Sequence, residues 1–261
     1  INTQSLVSKI SKKTKAIIIV HFAGYPCDLK NIIKICKKYK LKIIEDCAHA
    51  LGTYYNKKHV GNFGDVGVFS FYPTKQITTG EGGMVITNSK KIFSSIKSNK
   101  AFGIDTDIID RKIPGLYNVR SLGLNFRVTD FQACLGYYQL TRYERELRKR
   151  RQIAKKYCSL FKEFKKIKFH NYMPNASYFI FPIFLEKKRK KKLIQLFKNN
   201  KVGFSIHYAR PVHLMNYYKN SIKHCKNSKK FSEETISLPV HSSIDINKIK
   251  FILKLIKIAL N

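Results

Sequence analysis

The stretch from Ile43 to Thr87 reads IIEDCAHALGTYYNKKHVGNFGDVGVFSFYPTKQITTGEGGMVIT. Its first apolar run ends in an acid, Asp46, and the apolar run at 66–71 (VGVFSF) is soon followed by Lys75. Both runs have the length and composition of buried strands. We therefore expect the acid and the amine at the same edge of a sheet.

The sequence on the amino-terminal side of this stretch predicts a parallel sheet. Residues 15–20 (KAIIIV) are typical of a buried strand, and residues 28–39 carry apolar side chains at helical spacing behind the cap Asp28. With a strand at 41–44, the order is strand, helix, strand, which indicates a parallel pair with a right-handed crossover. Ligands of such sheets collect at the carboxyl ends of the strands, where Asp46 and the 70–75 segment lie.

The carboxyl-terminal half predicts a long helix and a second domain. After a strand at 83–87, a helix at 90–97 and an irregular stretch, a helical pattern begins at a Thr129-Asp130 cap and continues to about residue 161. We predict a large domain with this bridging helix at 1–163 and a smaller domain at 164–261. The elements expected in the smaller domain are strands at 178–185 and 202–206 and helices at 187–199 and from Asp245 onward.

Length and composition predict a folded protein of the cytoplasm. The chain has 261 residues, 44% of them hydrophobic, which is enough for a large α/β core. Its six cysteines form no C-x-x-C pair and no zinc-like spacing with histidines, so we expect reduced thiols and no metal site. No segment resembles a signal peptide or is apolar for long enough to span a bilayer, so no membrane partner is expected.

The charge of the chain is strongly basic. There are 51 Lys and Arg against 16 Asp and Glu, a formal net charge of +35. Because the basic residues are spread along the whole chain, a general compositional bias is favoured over dedicated nucleic-acid binding. The surplus would still favour a phosphate-bearing substrate.

Lys75 and Asp46 together suggest a pyridoxal phosphate site. In that chemistry a lysine holds the cofactor aldehyde as a Schiff base, and an acid keeps the pyridine nitrogen protonated. The apolar residues before Lys75 would partly desolvate its amine and favour the neutral, reactive form. The same positions also suit a surface lysine at a strand end and an Asp that caps a turn.

The neighbouring residues are less specific. Glu45 and Asp46 point to opposite faces of an extended segment, so only one can face a ligand, and Asp46 lies further beyond the strand. His49 alone suits a polar contact, although its ring could pack on a planar cofactor. The glycine-rich pieces at 61–67 and 80–83 match neither a P-loop nor a dinucleotide fingerprint, so tight turns are favoured over a phosphate cradle.

Several spaced motifs resemble one known family. The runs EDCAHALG at 45–52, VGNFGDVGVFSFYPTKQITTGEGGMVIT at 60–87 and LGLNFRVTDFQACLGYYQL at 122–140 closely resemble the nucleotide-sugar aminotransferases of the DegT/StrS family, which are fold-type-I pyridoxal phosphate enzymes. The resemblance implies an α/β fold with a mainly parallel central sheet and a smaller C-terminal α+β domain. Weaker similarity extends over 15–29, 206–218 and 237–241.

The resemblance implies roles for four residues near the sheet edge. Lys75 matches the catalytic Schiff-base lysine, and Asp46 matches the partner of the pyridine nitrogen. His49 stands where the family has a glutamine or histidine that contacts the cofactor ring and its oxygen, and Ser70 matches a residue that binds the phosphate. Pyridoxal 5'-phosphate is the cofactor that this resemblance implies.

Two further segments match family positions. Asn125 and Arg127 match a segment that reaches the neighbouring subunit's cofactor, which implies a homodimer, although Phe126 stands where the family more often has tyrosine. His207 and Tyr208 match a motif near the sugar site and are expected to bind substrate.

The implied activity is transfer of an amino group from an amino acid, by family habit L-glutamate, to a keto-sugar on a nucleotide diphosphate, for surface polysaccharide or glycan synthesis. Dehydratases of the family replace the lysine with histidine, so Lys75 argues against that reaction. The family's N-terminal phosphate-binding region finds no match here, so we expect a chain that lacks it and a partial large domain. The second hypothesis is a non-catalytic or degenerate fragment that acts as a basic binding protein.

Overall fold

A four-stranded sheet organises the amino-terminal unit of the chain. The computed structural model describes residues 1–218 and 225–261, which divide into the units Ile1–Glu144 and Arg145–Asn261. The elements that begin in the first unit are α1 (Thr3–Lys9), β1 (Ala16–Val20), α2 (Leu29–Tyr39), β2 (Lys42–Asp46), β3 (Tyr54–Tyr55), β4 (Lys58–His59), β5 (Val66–Ser70), β6 (Gly83–Ile86), α3 (Lys90–Asn99) and α4 (Asp130–Phe161).

The central sheet has the strand order β1-β2-β5-β6. Strands β1, β2 and β5 run parallel, and β6 adds an antiparallel edge to β5. Helix α2 connects β1 to β2 and begins where predicted, because the Asp28 side chain accepts the backbone N–H of Asn31. The predicted mainly parallel sheet is confirmed.

The two faces of the sheet have different surroundings. On one face, β1 and β2 pack with α2 in an apolar core. On the other face Val20 and Val68 are exposed, and Asp46 lies between them in the register of the three parallel strands. Because residues two apart share a face, Ser70 belongs to this second face as well. The fully buried side chains of the core include Ile19, Leu29, Ile32 and Ala50.

The second unit is built on an antiparallel sheet with helices. Its sheet has the order β7-β8-β9, and Phe161, from the end of α4, stacks with Tyr157 and Phe181 in the core. This is the predicted α+β arrangement. The elements that follow α4 are β7 (Lys168–Phe169), β8 (Phe181–Phe184), α5 (Lys187–Asn199), α6 (Lys226–Glu234), β9 (Thr235–Leu238) and α7 (Ile246–Leu260).

The strand predicted at 202–206 is wrong. The structure has a single bridge there, between Ser205 and Ser237 of β9. Gly203 explains part of the difference, because glycine weakens a strand. The unit boundary falls inside α4, whereas the predicted domains 1–163 and 164–261 assign the whole helix to the first domain, and that assignment stays a prediction.

The closing helix α7 is the most apolar helix of the second unit. It begins at the predicted cap Asp245, which accepts the backbone N–H of Lys248, and it buries Ile249, Ile252 and Ile256. Across residues 1–218 and 225–261, no helix combines the length and the apolar composition that crossing a membrane requires.

Candidate active site

The carboxyl ends of two neighbouring strands carry predicted site residues. Asp46 is the last residue of β2 and Ser70 the last residue of β5, and both are half-buried. Asp46 Oδ1 accepts the Ala48 N–H at 2.9 Å, and Ser70 Oγ accepts the Tyr72 N–H at 3.3 Å. A carboxylate has about four lone-pair sites, so the turn cap at Asp46 is compatible with a ligand on the same side chain.

Lys75 lies in the turn that follows β5. Its backbone N–H donates to the Tyr72 carbonyl at 2.9 Å, and the residue is half-buried. Burial lowers the pKa of the Lys75 amine, and Asp46 is close enough to oppose this by raising it. The charge of the acid therefore acts on the amine with which the sequence paired it. A lowered pKa increases the fraction of neutral, nucleophilic amine at a given pH.

Helix α4 holds the turn that carries Lys75. The Gln139 side chain accepts the Thr78 N–H at 3.0 Å and donates to the Thr78 carbonyl at 2.5 Å. At Gly136, an added Cβ would lie 2.9 Å from the Thr79 methyl group, so glycine permits this close approach. Sequence reasoning missed this clamp. A glycine inside a helix was the available signal. Glycine weakens a helix, so its presence there indicates close packing against another segment.

The end of β1 contributes an aromatic ring to the same edge. His49 lies three residues beyond Asp46 and is buried, and its ring is 5.8 Å from the Phe22 ring, tilted by 54°. Phe22 begins a short turn of 3₁₀-helix just after β1. Sequence reasoning missed Phe22, although its position two residues after a parallel strand was a signal.

Glu45 points to the opposite face from Asp46, as the predicted alternation requires. It is fully buried, and its carboxylate accepts the backbone N–H groups of Gly61, Phe63 and Gly64 at 2.6–2.8 Å. The glycine-rich piece therefore forms a turn, as predicted, whose backbone donors bind an internal carboxylate. Sequence reasoning missed this role of Glu45.

The remaining predicted site residues come later in the sequence. Asn125 and Arg127 are exposed in the first unit, where Arg127 Nε donates to Asn125 Oδ1 at 3.1 Å. His207 and Tyr208 lie in the second unit. His207 Nδ1 is 3.1 Å from Ser237 Oγ, and Tyr208 is exposed. The roles predicted for these residues stay predictions.

The residues at the sheet edge fit pyridoxal phosphate. An amine with a lowered pKa suits a carbonyl-binding lysine, and its electrostatic coupling to Asp46 places an acid near that amine. Ser70 at the end of β5 offers a hydroxyl for a phosphate, and the buried His49 offers a flat ring. This set of groups can bind an aldehyde, hold a proton on a basic nitrogen and transfer a proton.

Comparison with known sequences places the chain among aminotransferases. Residues 1–257 match the model of the DegT/DnrJ/EryC1/StrS aminotransferase family. The chain is 37% identical over 257 residues to the uncharacterized protein MJ1066 of Methanocaldococcus jannaschii, covering 92% of this chain and 66% of that protein. It is 31% identical to the UDP-4-amino-4,6-dideoxy-N-acetyl-beta-L-altrosamine transaminase of Campylobacter jejuni, covering 94% and 65%. The chain thus spans about two thirds of the length of these relatives.

Solved structures confirm the predicted fold. PseC from Helicobacter pylori, an aminotransferase involved in the biosynthesis of pseudoaminic acid, is 29% identical with a TM-score of 0.91, covering 100% of this chain and 70% of that chain. The aminotransferase from Psychrobacter cryohalolentis is 27% identical with a TM-score of 0.87, covering 98% and 71%. The fold is that of the fold-type-I pyridoxal phosphate aminotransferases.

Proposed function

The chain belongs to the DegT/DnrJ/EryC1/StrS aminotransferase family, and we propose that the protein is a pyridoxal-phosphate-dependent sugar aminotransferase. It moves an amino group from an amino acid, L-glutamate by family resemblance, to a keto-sugar carried on a nucleotide diphosphate. The Campylobacter jejuni relative is named as a transaminase of a UDP-linked sugar, which supports this substrate class. The product would enter surface polysaccharide or glycan synthesis in the cytoplasm.

The observation that carries this proposal is the pairing of Lys75 with Asp46. Lys75 is half-buried beyond β5, Asp46 ends the adjacent strand β2, and the charge of Asp46 acts on the Lys75 amine by raising its pKa against the effect of burial. Both lie where an α/β sheet binds its ligands. Neither a surface lysine far from any acid nor an Asp that only caps a turn would need this electrostatic interaction.

Four side chains would hold the cofactor. Lys75 Nζ would bind its aldehyde carbon, the Asp46 carboxylate its protonated pyridine nitrogen, the Ser70 hydroxyl its phosphate, and His49 its ring. When bound, pyridoxal phosphate supplies an electron sink for the negative charge that develops on the substrate carbon.

Two of these residues carry the proton chemistry. With the cofactor bound, the neutral amine of Lys75 would be the base that takes the proton from the substrate carbon and delivers it to the cofactor. Burial favours this neutral form, because it lowers the pKa of Lys75. The Asp46 carboxylate would stabilise positive charge on the pyridine nitrogen of the bound cofactor.

Two features support the proposed substrate, namely two residues of the second unit and the net charge of the chain. His207 and Tyr208 are our candidates for sugar binding. The formal net charge of +35 favours a substrate that carries a diphosphate.

Borohydride trapping tests the proposed cofactor site. Reduction of the protein in the presence of pyridoxal phosphate is expected to fix the cofactor on Lys75, and peptide mass spectrometry identifies the modified residue. Lys75→Arg keeps the positive charge but cannot bind the aldehyde, so the adduct and the visible absorbance band are expected to disappear. Equal labelling of many lysines, or an unchanged band in Lys75→Arg, would refute the proposal.

We also propose that the protein forms a homodimer through the 108–140 segment of the first unit. Exposed large apolar side chains concentrate there, and Ile109, Leu122 and Phe131 are 90%, 92% and 90% exposed. Exposed apolar surface of this extent is typical of interaction sites. The same segment contains Asn125 and Arg127, which the family resemblance assigns to a subunit contact, so a second copy is the expected partner.

Phe131→Arg is expected to convert the dimer to a monomer at micromolar concentration, because a charge would replace a large apolar contact at the proposed interface. Sedimentation velocity measures the change. Gln195→Arg, which adds the same charge at an exposed position of α5, is the matched control and is expected to stay dimeric. A wild-type protein that sediments as a monomer at all concentrations contradicts the proposal.

A further inference from the structure

The buried pair of Glu45 and His21 connects the ends of β1 and β2. Both side chains are fully buried, and His21 Nε2 lies 3.0 Å from Glu45 Oε2. His21 Nδ1 accepts the Cys27 N–H at 3.0 Å, which leaves the Nε2–H as the donor to Glu45. The imidazole therefore links Glu45 to the loop that follows β1.

The same carboxylate fixes the glycine-rich turn. Oε2 also accepts the Gly61 N–H at 2.8 Å, and Oε1 accepts the N–H groups of Phe63 and Gly64 at 2.7 and 2.6 Å. Burial disfavours the charged form, but the hydrogen bonds from His21 and the backbone outweigh it and hold the pKa of Glu45 below its usual value. Glu45 is thus a buried anion whose oxygens both accept hydrogen bonds.

The turn packs too closely on the sheet for other residue types. An added Cβ at Gly67 of β5 would lie 2.5 Å from the backbone of Gly61, and one at Gly64 would lie 2.6 Å from the Ile43 carbonyl. Because these positions are glycines, the turn can lie directly against β2 and β5. Its backbone N–H groups then come within hydrogen-bonding distance of Glu45.

A metal site is a weaker interpretation of this cluster. Ligand atoms of His21, Glu45 and Cys47 all lie within 4.8 Å of one another. However, His21 and three backbone N–H groups already donate to the Glu45 oxygens, and His21 Nδ1 accepts from Cys27. Burial, with the nearby carboxylates, also raises the pKa of the Cys47 thiol, which disfavours the thiolate that would bind a metal.

The backbone of Asp46 is held by the same elements. Its carbonyl accepts the His21 N–H at 3.1 Å, and the next residue, Cys47, donates its N–H to the Val68 carbonyl at 2.8 Å. Glu45 precedes Asp46 and points to the opposite face of β2. A rotation of the strand end that loosens the Glu45 carboxylate must therefore also turn the Asp46 carboxylate.

We propose that Glu45 and His21 are positioning residues that hold Asp46 against the pyridine nitrogen of the bound cofactor. They act through Asp46, from the opposite face of the sheet, and touch neither substrate nor cofactor. This inference rests on the proposed function, because it assigns Asp46 to that nitrogen.

The test uses pyridoxal phosphate labelled with ¹⁵N at the pyridine nitrogen, whose NMR shift reports whether that nitrogen is protonated. In Glu45→Gln, an NH₂ donor replaces one carboxylate oxygen and faces N–H groups that also donate. The hydrogen bonds to that oxygen are therefore lost. The ¹⁵N shift is expected to move towards that of Asp46→Asn. The kcat for amino transfer from L-glutamate is expected to fall roughly 10- to 100-fold, with a KM within about twofold, because a misplaced group mainly affects the reacting state.

The matched control is Asp65→Asn. Asp65 also accepts a backbone N–H of β2, that of Ile43 at 2.9 Å, but at the strand's other end. Loss of the Asp65 carboxylate is expected to lower the unfolding midpoint and to leave the ¹⁵N shift unchanged. A second measurement uses the protein without cofactor. In Glu45→Gln, amide hydrogen exchange at Gly61, Phe63 and Gly64 is expected to become faster. In Asp65→Asn, exchange at Gly61 and Phe63 is expected to keep the wild-type rate.

A wild-type ¹⁵N shift and kcat in Glu45→Gln, together with faster exchange at the turn, would show a purely structural network and overturn the inference. If Glu45→Gln does not fold, His21→Gln decides by the same readouts, because it keeps the carboxylate and its three backbone hydrogen bonds. A shift that also stays unchanged in Asp46→Asn, or a wild type that binds no cofactor, would overturn the proposed function itself.

Discussion

Lys75→Ala is expected to slow amino transfer from L-glutamate to the cofactor by roughly 10²- to 10⁴-fold, the usual effect of losing a positioned general base. Alanine can neither bind the cofactor aldehyde nor move the substrate proton. Burial lowers the pKa of Lys75, which increases the fraction of the neutral amine that acts as the base. Quenched-flow detection of the 2-oxoglutarate formed from saturating L-glutamate measures this rate in both proteins.

The control for Lys75→Ala is Lys91→Ala, which removes an exposed lysine of α3 and is expected to keep the wild-type rate. Added methylamine is expected to restore part of the rate in Lys75→Ala, because a small amine can occupy the vacated space and accept the proton. A Lys75→Ala protein that retains more than a tenth of the wild-type rate would show that another group is the base.

The fold was predictable where an element is long or carries its own boundary signal. Helix α5 has the predicted bounds, and Asp28 and Asp245 cap the helices that the sequence assigned to them. The hairpin β3-β4 was missed because its strands are two residues long. Its turn places both Asn56 and Lys57 at positive φ, and lysine is not a residue that signals such a turn.

The candidate site was predictable only in part, for a related reason. Asp46 and Ser70 stand at strand ends, a position that the apolar pattern reveals directly. The partners of Glu45 are mainly backbone N–H groups, which every residue except proline has, so the side-chain pattern gives no sign of them. Gln139 reaches Thr78 across 61 residues, and only the packed structure shows that pairing.

Asp46→Asn is expected to slow the same half-reaction by roughly 10²- to 10³-fold, the usual loss when one preorganised electrostatic contact is removed. Asparagine has the same shape, and its Oδ1 can still accept the Ala48 N–H, so the turn and the unfolding midpoint are expected to persist. It carries no charge, however, to hold the proton on the pyridine nitrogen. Asp65→Asn, which neutralises a carboxylate at the other end of β2, is expected to keep the wild-type rate.

The same substitution has a second expected effect, which needs no cofactor. Burial lowers the pKa of Lys75 and the charge of Asp46 partly offsets this by raising it, so the pKa of Lys75 is expected to fall further in Asp46→Asn. Competitive acetylation with trace acetic anhydride, read by mass spectrometry across pH, measures that pKa against the exposed Lys91. Asp46→Glu restores the charge and is expected to raise the pKa again. If Lys75 titrates at the same pH in the wild type and in Asp46→Asn, the two groups do not interact, and the pairing that supports the proposed site is wrong.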